Sequence, residues 1–152
     1  MFKHILVPVD GSELSNSAVK RAVSFASDAK AKICFYHAQP AFVPPLLAGE
    51  GVIMDAGAQQ MFADARIKEA EHLLKVAAEH AQKNGVSCHT VTDIHDAPWQ
   101  GIIEVARQHQ CDLIFMSSHG RRGVASLLLG SETQKVLTHC SIPVLVFRDP
   151  AK

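Results

Sequence analysis

Serine, glycine and arginine residues crowd one stretch of the chain, residues 117–133, SSHGRRGVASLLLGSET. Gly120, Gly123 and Gly130 fall within eleven positions, more than a simple connection between two elements requires. Glycine lets the backbone approach a ligand closely, and the N–H groups that open a following helix attract phosphate oxygens. Two adjacent arginines add positive charge, and the hydroxyl of Ser131 can donate to a phosphate. The stretch therefore predicts a phosphate-binding loop that ends at a helix.

The same residues also fit an interpretation without a ligand. Ser131 and Gln134 have the spacing of a helix capping box, and the glycines could be ordinary turn residues beside solvated arginines. Neither common phosphate motif is present, because the chain has no GxxxxGK[ST] run and no GxGxxG after its first apolar segment. A Walker-type NTPase and a nicotinamide-dependent dehydrogenase both lose support.

Residues that could hold a metal or act as a catalytic base are scattered. The nine histidines form no HxH or HExxH pattern, and the cysteines form no CxxC pair: Cys34, Cys88, Cys111 and Cys140. We therefore expect buried thiols and no metal site. No Ser/His/Asp arrangement stands out, and His119 is the nearest candidate base, although a turn histidine is the simpler interpretation. No catalytic residue is predicted.

The composition is that of a soluble globular protein. Of 152 residues, 47% are hydrophobic and 20% charged, which argues against disorder. The formal net charge of zero favours neither nucleic acid nor an anionic membrane as a partner. The apolar start FKHILVPV is too short for a secretory core or a membrane span. We expect one cytoplasmic domain over residues 1–152.

Short apolar runs alternate with segments of helical period, which predicts an α/β protein with an open parallel sheet. The predicted strands are HILVPV, KICFYHA, VSCHTVT, DLIFMSS and IPVLVF. The predicted helices run from Leu14 to Ala29, from Met61 to Asn84 before a stop at Gly85, from Asp96 onward, and over residues 131–140. Such sheets bind ligands beyond the carboxyl ends of their strands, here after the first, second and fourth.

Residues 39–60 have three prolines, three glycines and no steady period, and they predict a long loop. Its apolar content favours a lid or a contact surface over a flexible linker.

Three segments, ILVPVDGSE, DLIFMSSHGRRG and LLLGSETQKVLTHCSIPVLVFR, resemble the universal stress protein family, and the similarity spans the chain. The resemblance implies a Rossmann-like fold with five parallel strands in the order 3-2-1-4-5 and helices on both faces. The ATP-binding branch of that family has the pattern G-x2-G-x9-G-[S/T]. Gly120, Gly130 and Ser131 fit its last three positions, whereas Ser117 replaces its first glycine.

The resemblance also implies a set of nucleotide-binding residues. They are Pro8, Val9, Asp10, Ala38, Met116, Ser117, His119, Gly120, Arg121, Gly123, Gly130, Ser131 and Glu132. Asp10 would accept hydrogen bonds from adenine or ribose, with turn formation in DGSE as the alternative. Ala38 would line the base pocket with Met116 packed against it, unless both are plain core residues.

The function implied is that of an ATP-binding stress regulator, with or without Mg²⁺, that hydrolyses ATP slowly or not at all. A symmetric homodimer through Pro143 to Phe147 is also implied, because an exposed apolar edge strand calls for a partner. Two alternatives stay open, a nucleotide-free dimeric interaction protein of the same fold and an enzyme acting on an adenylated substrate.

Overall fold

The computed structural model describes residues 1–40, 56–119 and 129–149, which form five strands and four helices. In chain order these elements are β1 (His4–Pro8), α1 (Glu13–Ala29), β2 (Lys32–Gln39), α2 (Ala56–Lys83), β3 (Cys88–Ile94), α3 (Pro98–Gln108), β4 (Leu113–Ser117), α4 (Ser131–His139) and β5 (Val144–Phe147). The strands form one sheet in the order β3-β2-β1-β4-β5, and every pair is parallel. The predicted fold class and strand order are confirmed.

Each face of the sheet is covered by two helices. Ile5 and Val7 of β1 pack with the buried residues of α1 and α2, whereas Leu6 packs with those of α3 and α4. All three side chains are fully buried, as expected for a central strand with helices on both faces. Pro8 is the last residue of the strand, where the missing N–H of proline is tolerated.

The central strand is also tied to β4 at its amino end. The Asp112 carboxylate accepts the backbone N–H of Lys3 at 2.8 Å and that of His4 at 2.9 Å. Because Asp112 directly precedes β4, these bonds fix the register in which β1 and β4 begin.

Helix α2 is longer and more exposed than its sequence pattern predicts. It begins at Ala56 rather than Met61, since AGAQQ carries good helix formers without an apolar period. The predicted loop 39–60 therefore ends by residue 55, and residues 41–55 lie outside the described part of the chain. Ile67 is 48% exposed, although it has helical spacing from the buried Ala70 and Leu74. Gly85 ends the helix with a φ of 70°, as predicted.

Helix α3 packs against the sheet through a glycine. A Cβ at Gly101 would collide with the hydroxyl of Tyr36, which itself donates to Asp93 Oδ1 at 2.6 Å. The predicted helix start at Asp96 is wrong, because Ala97 is the N-cap and makes no side-chain bond to the helix. Within the described residues, no helix is both long enough and apolar enough to cross a bilayer.

Candidate functional site

The carboxyl ends of β1 and β2 are tied together beyond their ladder. The N–H of Val9 donates to the Tyr36 carbonyl at 2.8 Å, and Nδ1 of His37 lies 2.6 Å from the Val9 carbonyl. Val9 is 4% exposed and follows the half-buried Pro8. These bonds fix the end of the central strand and so the place where Asp10 begins.

Asp10 forms the turn between β1 and α1. Its Oδ1 accepts the N–H of Ser12 at 2.9 Å, and its own N–H donates to Ser15 Oγ at 3.2 Å. Gly11 has a φ of 81°, which glycine adopts without strain, and Ser12 then caps α1 by accepting from the N–H of Ser15 at 3.1 Å. The turn interpretation of Asp10 is therefore confirmed. A carboxylate can accept several hydrogen bonds at once, so this role in the turn does not by itself exclude a ligand.

Ala38 and Met116 belong to the same hydrophobic cluster, on the α3 and α4 face of the sheet. Met116 is 5% exposed, and the half-buried Ala38 packs against the cluster from β2. Both occupy core positions near the carboxyl ends of their strands.

The turn that follows β4 is stabilised by hydrogen bonds from Ser117 and Ser118. Ser117 Oγ donates to the His119 carbonyl at 2.8 Å, and Ser118 Oγ lies 3.0 Å from Nδ1 of His119. Ser118 also donates its N–H to the Phe147 carbonyl at 2.9 Å, which anchors the turn on β5. Among the described residues other than glycine, only Lys30 and Gln110 have a positive φ. Ser117 therefore occupies its position without the backbone angle that would require glycine.

The two ends of the predicted loop meet at its base. The N–H of Gly130 donates to the Ser118 carbonyl at 2.8 Å, and Thr133 Oγ1 donates to the Ser117 carbonyl at 3.1 Å. Thr133 is 3% exposed and was missed from the sequence, where the only signal is a hydroxyl residue in the first turn of a helix. Gly120, Arg121 and Gly123 lie outside the described residues.

Helix α4 begins without a side-chain cap. Its N-cap is Gly130, with φ −62° and ψ 151°, so Ser131 is the first helical residue and is exposed. The predicted capping box is wrong, since Nε2 of Gln134 donates to the Leu129 carbonyl instead. A first turn has N–H groups without partners inside the helix, and a glycine N-cap has no side chain to satisfy them. An anion can bind such a helix start.

Glu132 connects α4 to α3. Its Oε2 accepts the backbone N–H of Trp99 at 2.9 Å, and its Oε1 lies 3.1 Å from Lys135 Nζ. Because Trp99 is in the first turn of α3, Glu132 satisfies an N–H that Ala97 cannot cap. Glu132, which the sequence predicts to bind a nucleotide, therefore makes a hydrogen bond that links α3 and α4.

The universal stress protein family model matches residues 1–148, nearly the whole chain. The chain belongs to the universal stress protein family. A universal stress protein of Methanocaldococcus jannaschii is 30% identical over 152 residues, which cover 100% of this chain and 85% of the relative. A universal stress protein of Thermus aquaticus is 32% identical over 148 residues, covering 97% of this chain and 100% of the relative.

Solved structures share the fold. The protein MJ0577 of M. jannaschii superposes with a TM-score of 0.79 at 23% identity, over 98% of this chain and 97% of that one. A universal stress protein solved in complex with cAMP gives a TM-score of 0.67 at 23% identity, with 97% of each chain covered. A family member from Arabidopsis thaliana, solved with AMP bound, gives 0.69 at 16% identity over 98% and 94%.

Proposed function

We propose that this chain binds an adenine nucleotide, ATP with or without Mg²⁺, beyond the ends of β1 and β4, and acts as a regulator in a stress response. The observation that carries the proposal is the start of α4. Gly130 holds this helix start against the end of β4, and among the described residues no side chain caps it with a hydrogen bond. A phosphate group is the ligand that such a helix start favours.

Other residues near this helix start would contact the base and the ribose of the nucleotide. The adenine base would lie against Ala38 and Met116, where the apolar cluster reaches the carboxyl edge. Asp10 would accept hydrogen bonds from the ribose hydroxyls, and the Ser131 hydroxyl would donate to a phosphate. Relatives solved with cAMP and AMP bound support adenine nucleotides as the ligand class.

We propose that hydrolysis is slow or absent, because no evident general base lies among the described residues of this site. Ser117 and Ser118 both contact His119, so this histidine already has a structural role at the turn. A nucleotide bound without rapid turnover can hold a protein in one conformation, which suits a sensor or regulator.

Measuring the binding of ATP tests the proposal. Calorimetric titration with ATP and Mg²⁺ should give one site per chain, and Gly130→Asp should abolish it, because a carboxylate would then occupy the phosphate position. Gly130→Asn is the matched control, since asparagine caps a helix as well as aspartate but carries no charge. It should retain more affinity than Gly130→Asp.

No heat of binding at millimolar ATP would contradict the proposal and favour the nucleotide-free interaction protein. Sustained ATP turnover that disappears in Asp10→Ala would instead favour an enzyme acting on an adenylated substrate.

We further propose a symmetric homodimer through Pro143 to Phe147. The four residues of β5 are only half buried, and β5 is the edge strand next to β4. Pairing with a second subunit would cover that edge.

We also propose that residues 1–152 form one domain, because all five strands share one sheet. We propose further that the protein is cytoplasmic, since its four cysteines are free thiols.

A further inference from the structure

A thiol and two imidazole groups lie close together near the amino ends of the strands. The proposed nucleotide site lies at the opposite edge of the sheet. Cys34 of β2 pairs in register with His89 of β3, and His109 is the C-cap of α3 beside them. One ligand atom from each residue lies within 4.8 Å of the other two. We propose that Cys34, His89 and His109 form a binding site for a transition-metal ion of the Zn²⁺ type.

The two imidazoles already have the spacing that a metal requires. His89 Nε2 and His109 Nδ1 are 3.2 Å apart. In a tetrahedral zinc site, metal–nitrogen bonds of about 2.0–2.1 Å place two nitrogen ligands about 3.3 Å apart, and a thiolate about 3.6 Å from each. A side-chain adjustment of at most about 1.2 Å therefore brings the three ligand atoms to these separations, by the same bond lengths.

The backbone holds these residues on fixed elements. Cys34 is 0% exposed on a strand that is paired on both sides, and the N–H of His109 donates to the Val105 carbonyl at 3.0 Å. His89 and His109 are partly accessible, so an ion can reach the site from solvent. Ligands on rigid elements lower the cost of forming a metal site.

A second observation at the same place is a buried imidazole nitrogen that has no partner in the described part of the chain. This atom is Nε2 of His4, which is 6% exposed and whose ring lies 5.4 Å from that of His89. Cys111 contributes a further buried thiol, in side-chain contact with Cys34. Leaving such a nitrogen buried and unpaired has a cost, which a role beside a bound ion would explain.

The donor set selects the metal. Imidazole and thiolate prefer borderline-soft ions such as Zn²⁺, whereas Mg²⁺ and Ca²⁺ prefer oxygen. The positive charge of Lys32 opposes a bound cation, but this side chain is exposed and its field is screened by solvent. Cys34 precedes Ala38 by four strand residues, about 13 Å, so the metal site would be separate from the nucleotide crevice.

The test uses the full chain freed of metal with a chelator. Equilibrium dialysis against Zn²⁺ should give one tightly bound ion per chain, and Co²⁺ should give a tetrahedral spectrum with a sulfur charge-transfer band. Cys34→Ser should remove that band. His109→Gln should lower Zn²⁺ affinity by at least about 100-fold, because even residues that only support a ligand cost about 10–100-fold.

Two control variants distinguish binding at this site from adventitious metal binding elsewhere on the protein. Cys88→Ser removes a thiol that packs in the cluster on the α1 and α2 face, and His72→Gln removes an exposed histidine of α2. Both should bind like the parent chain.

The proposal is overturned if Co²⁺ gives an octahedral spectrum without a sulfur band, or if His109→Gln binds Zn²⁺ as the parent does. It is equally overturned if His72→Gln reduces binding as much as His109→Gln, which would indicate adventitious surface binding. Should circular dichroism show that Cys34→Ser is unfolded, His109→Gln at the end of α3 decides the outcome. ATP titration in the presence of the chelator tests the nucleotide proposal independently of these results.

Discussion

At the scale of single residues, Tyr36 shows how burial changes chemistry. This side chain is 1% exposed, and its hydroxyl donates to Asp93 at 2.6 Å. Burial, reinforced by that hydrogen bond and by the negative charge of Asp93, raises the pKa of Tyr36 far above its usual value. The folded chain therefore retains the phenolic proton at a pH where an unfolded chain has lost it.

This difference predicts alkaline instability. The stabilising effect is fully present below about pH 10, the pKa of an unfolded tyrosine, and is lost as the pH rises beyond it, because only the unfolded state then releases the proton. Since Tyr36 is the single tyrosine, tyrosinate absorbance reports on it alone. We expect that absorbance to appear together with loss of helical circular dichroism. Ionisation near pH 10 in a chain that keeps its helical signal would contradict the prediction, and the urea-unfolded chain is the control.

Ser117 is the residue at which the chain departs from the ATP-binding pattern. Because its φ is not positive, glycine at this position would gain nothing sterically. Ser117→Gly should change ATP affinity by less than about threefold, well under 1 kcal/mol. It should lower the free energy of unfolding by about 1 kcal/mol, through chain entropy and the lost bond to His119.

Calorimetry and urea unfolding measure these two effects of Ser117→Gly. The control is Ser117→Ala, which removes the hydroxyl without freeing the backbone. An ATP affinity that rises tenfold in Ser117→Gly alone would mean that the position does need glycine.

At the scale of elements, one carboxylate adds a hydrogen bond to the packing of α3 against α4. Glu132 accepts the N–H of Trp99, which lies 33 residues earlier in the chain, and so caps α3. Glu132→Ala should destabilise the fold by about 1 kcal/mol, as the loss of a helix cap does. The fluorescence of Trp99, the single tryptophan, follows urea unfolding directly at this contact.

Lys135→Ala provides the matched control for Glu132→Ala. It removes only an exposed ion pair with the same carboxylate and should cost less than about 0.5 kcal/mol. If both variants were equally stable, the bond to Trp99 would contribute nothing.

The elements were predictable where a regular apolar pattern existed. All five strands were found because β1 and β4 are continuous apolar runs and the edge strands end at clear turn residues. The first five residues of α2 were missed because that segment is helical without burying a stripe. The contacts of Thr133 and Glu132 could not be predicted, since both join residues that are distant in sequence. The cluster of Cys34, His89 and His109 was not predicted for the same reason, because its residues come from three separate elements.

At the scale of the whole molecule, the exposed edge at β5 predicts assembly. Analytical ultracentrifugation at micromolar concentration should show a dimer, and Val146→Lys should shift it to monomer by placing a charge on the edge strand. Thr138→Lys is the control, because it adds the same charge on the exposed side of α4. A monomer in the parent chain would contradict the homodimer.

The bonds from Asp112 to Lys3 and His4 have a further consequence, for the time course of folding. The central strand β1 is synthesised well before its neighbour β4, which leaves the ribosome about a hundred residues later. Until then one side of a largely apolar strand has no partner, and long-range pairings of this kind form slowly. Until β4 has been synthesised, that side of β1 would stay open to aggregation, and protection by a chaperone would matter most during this interval.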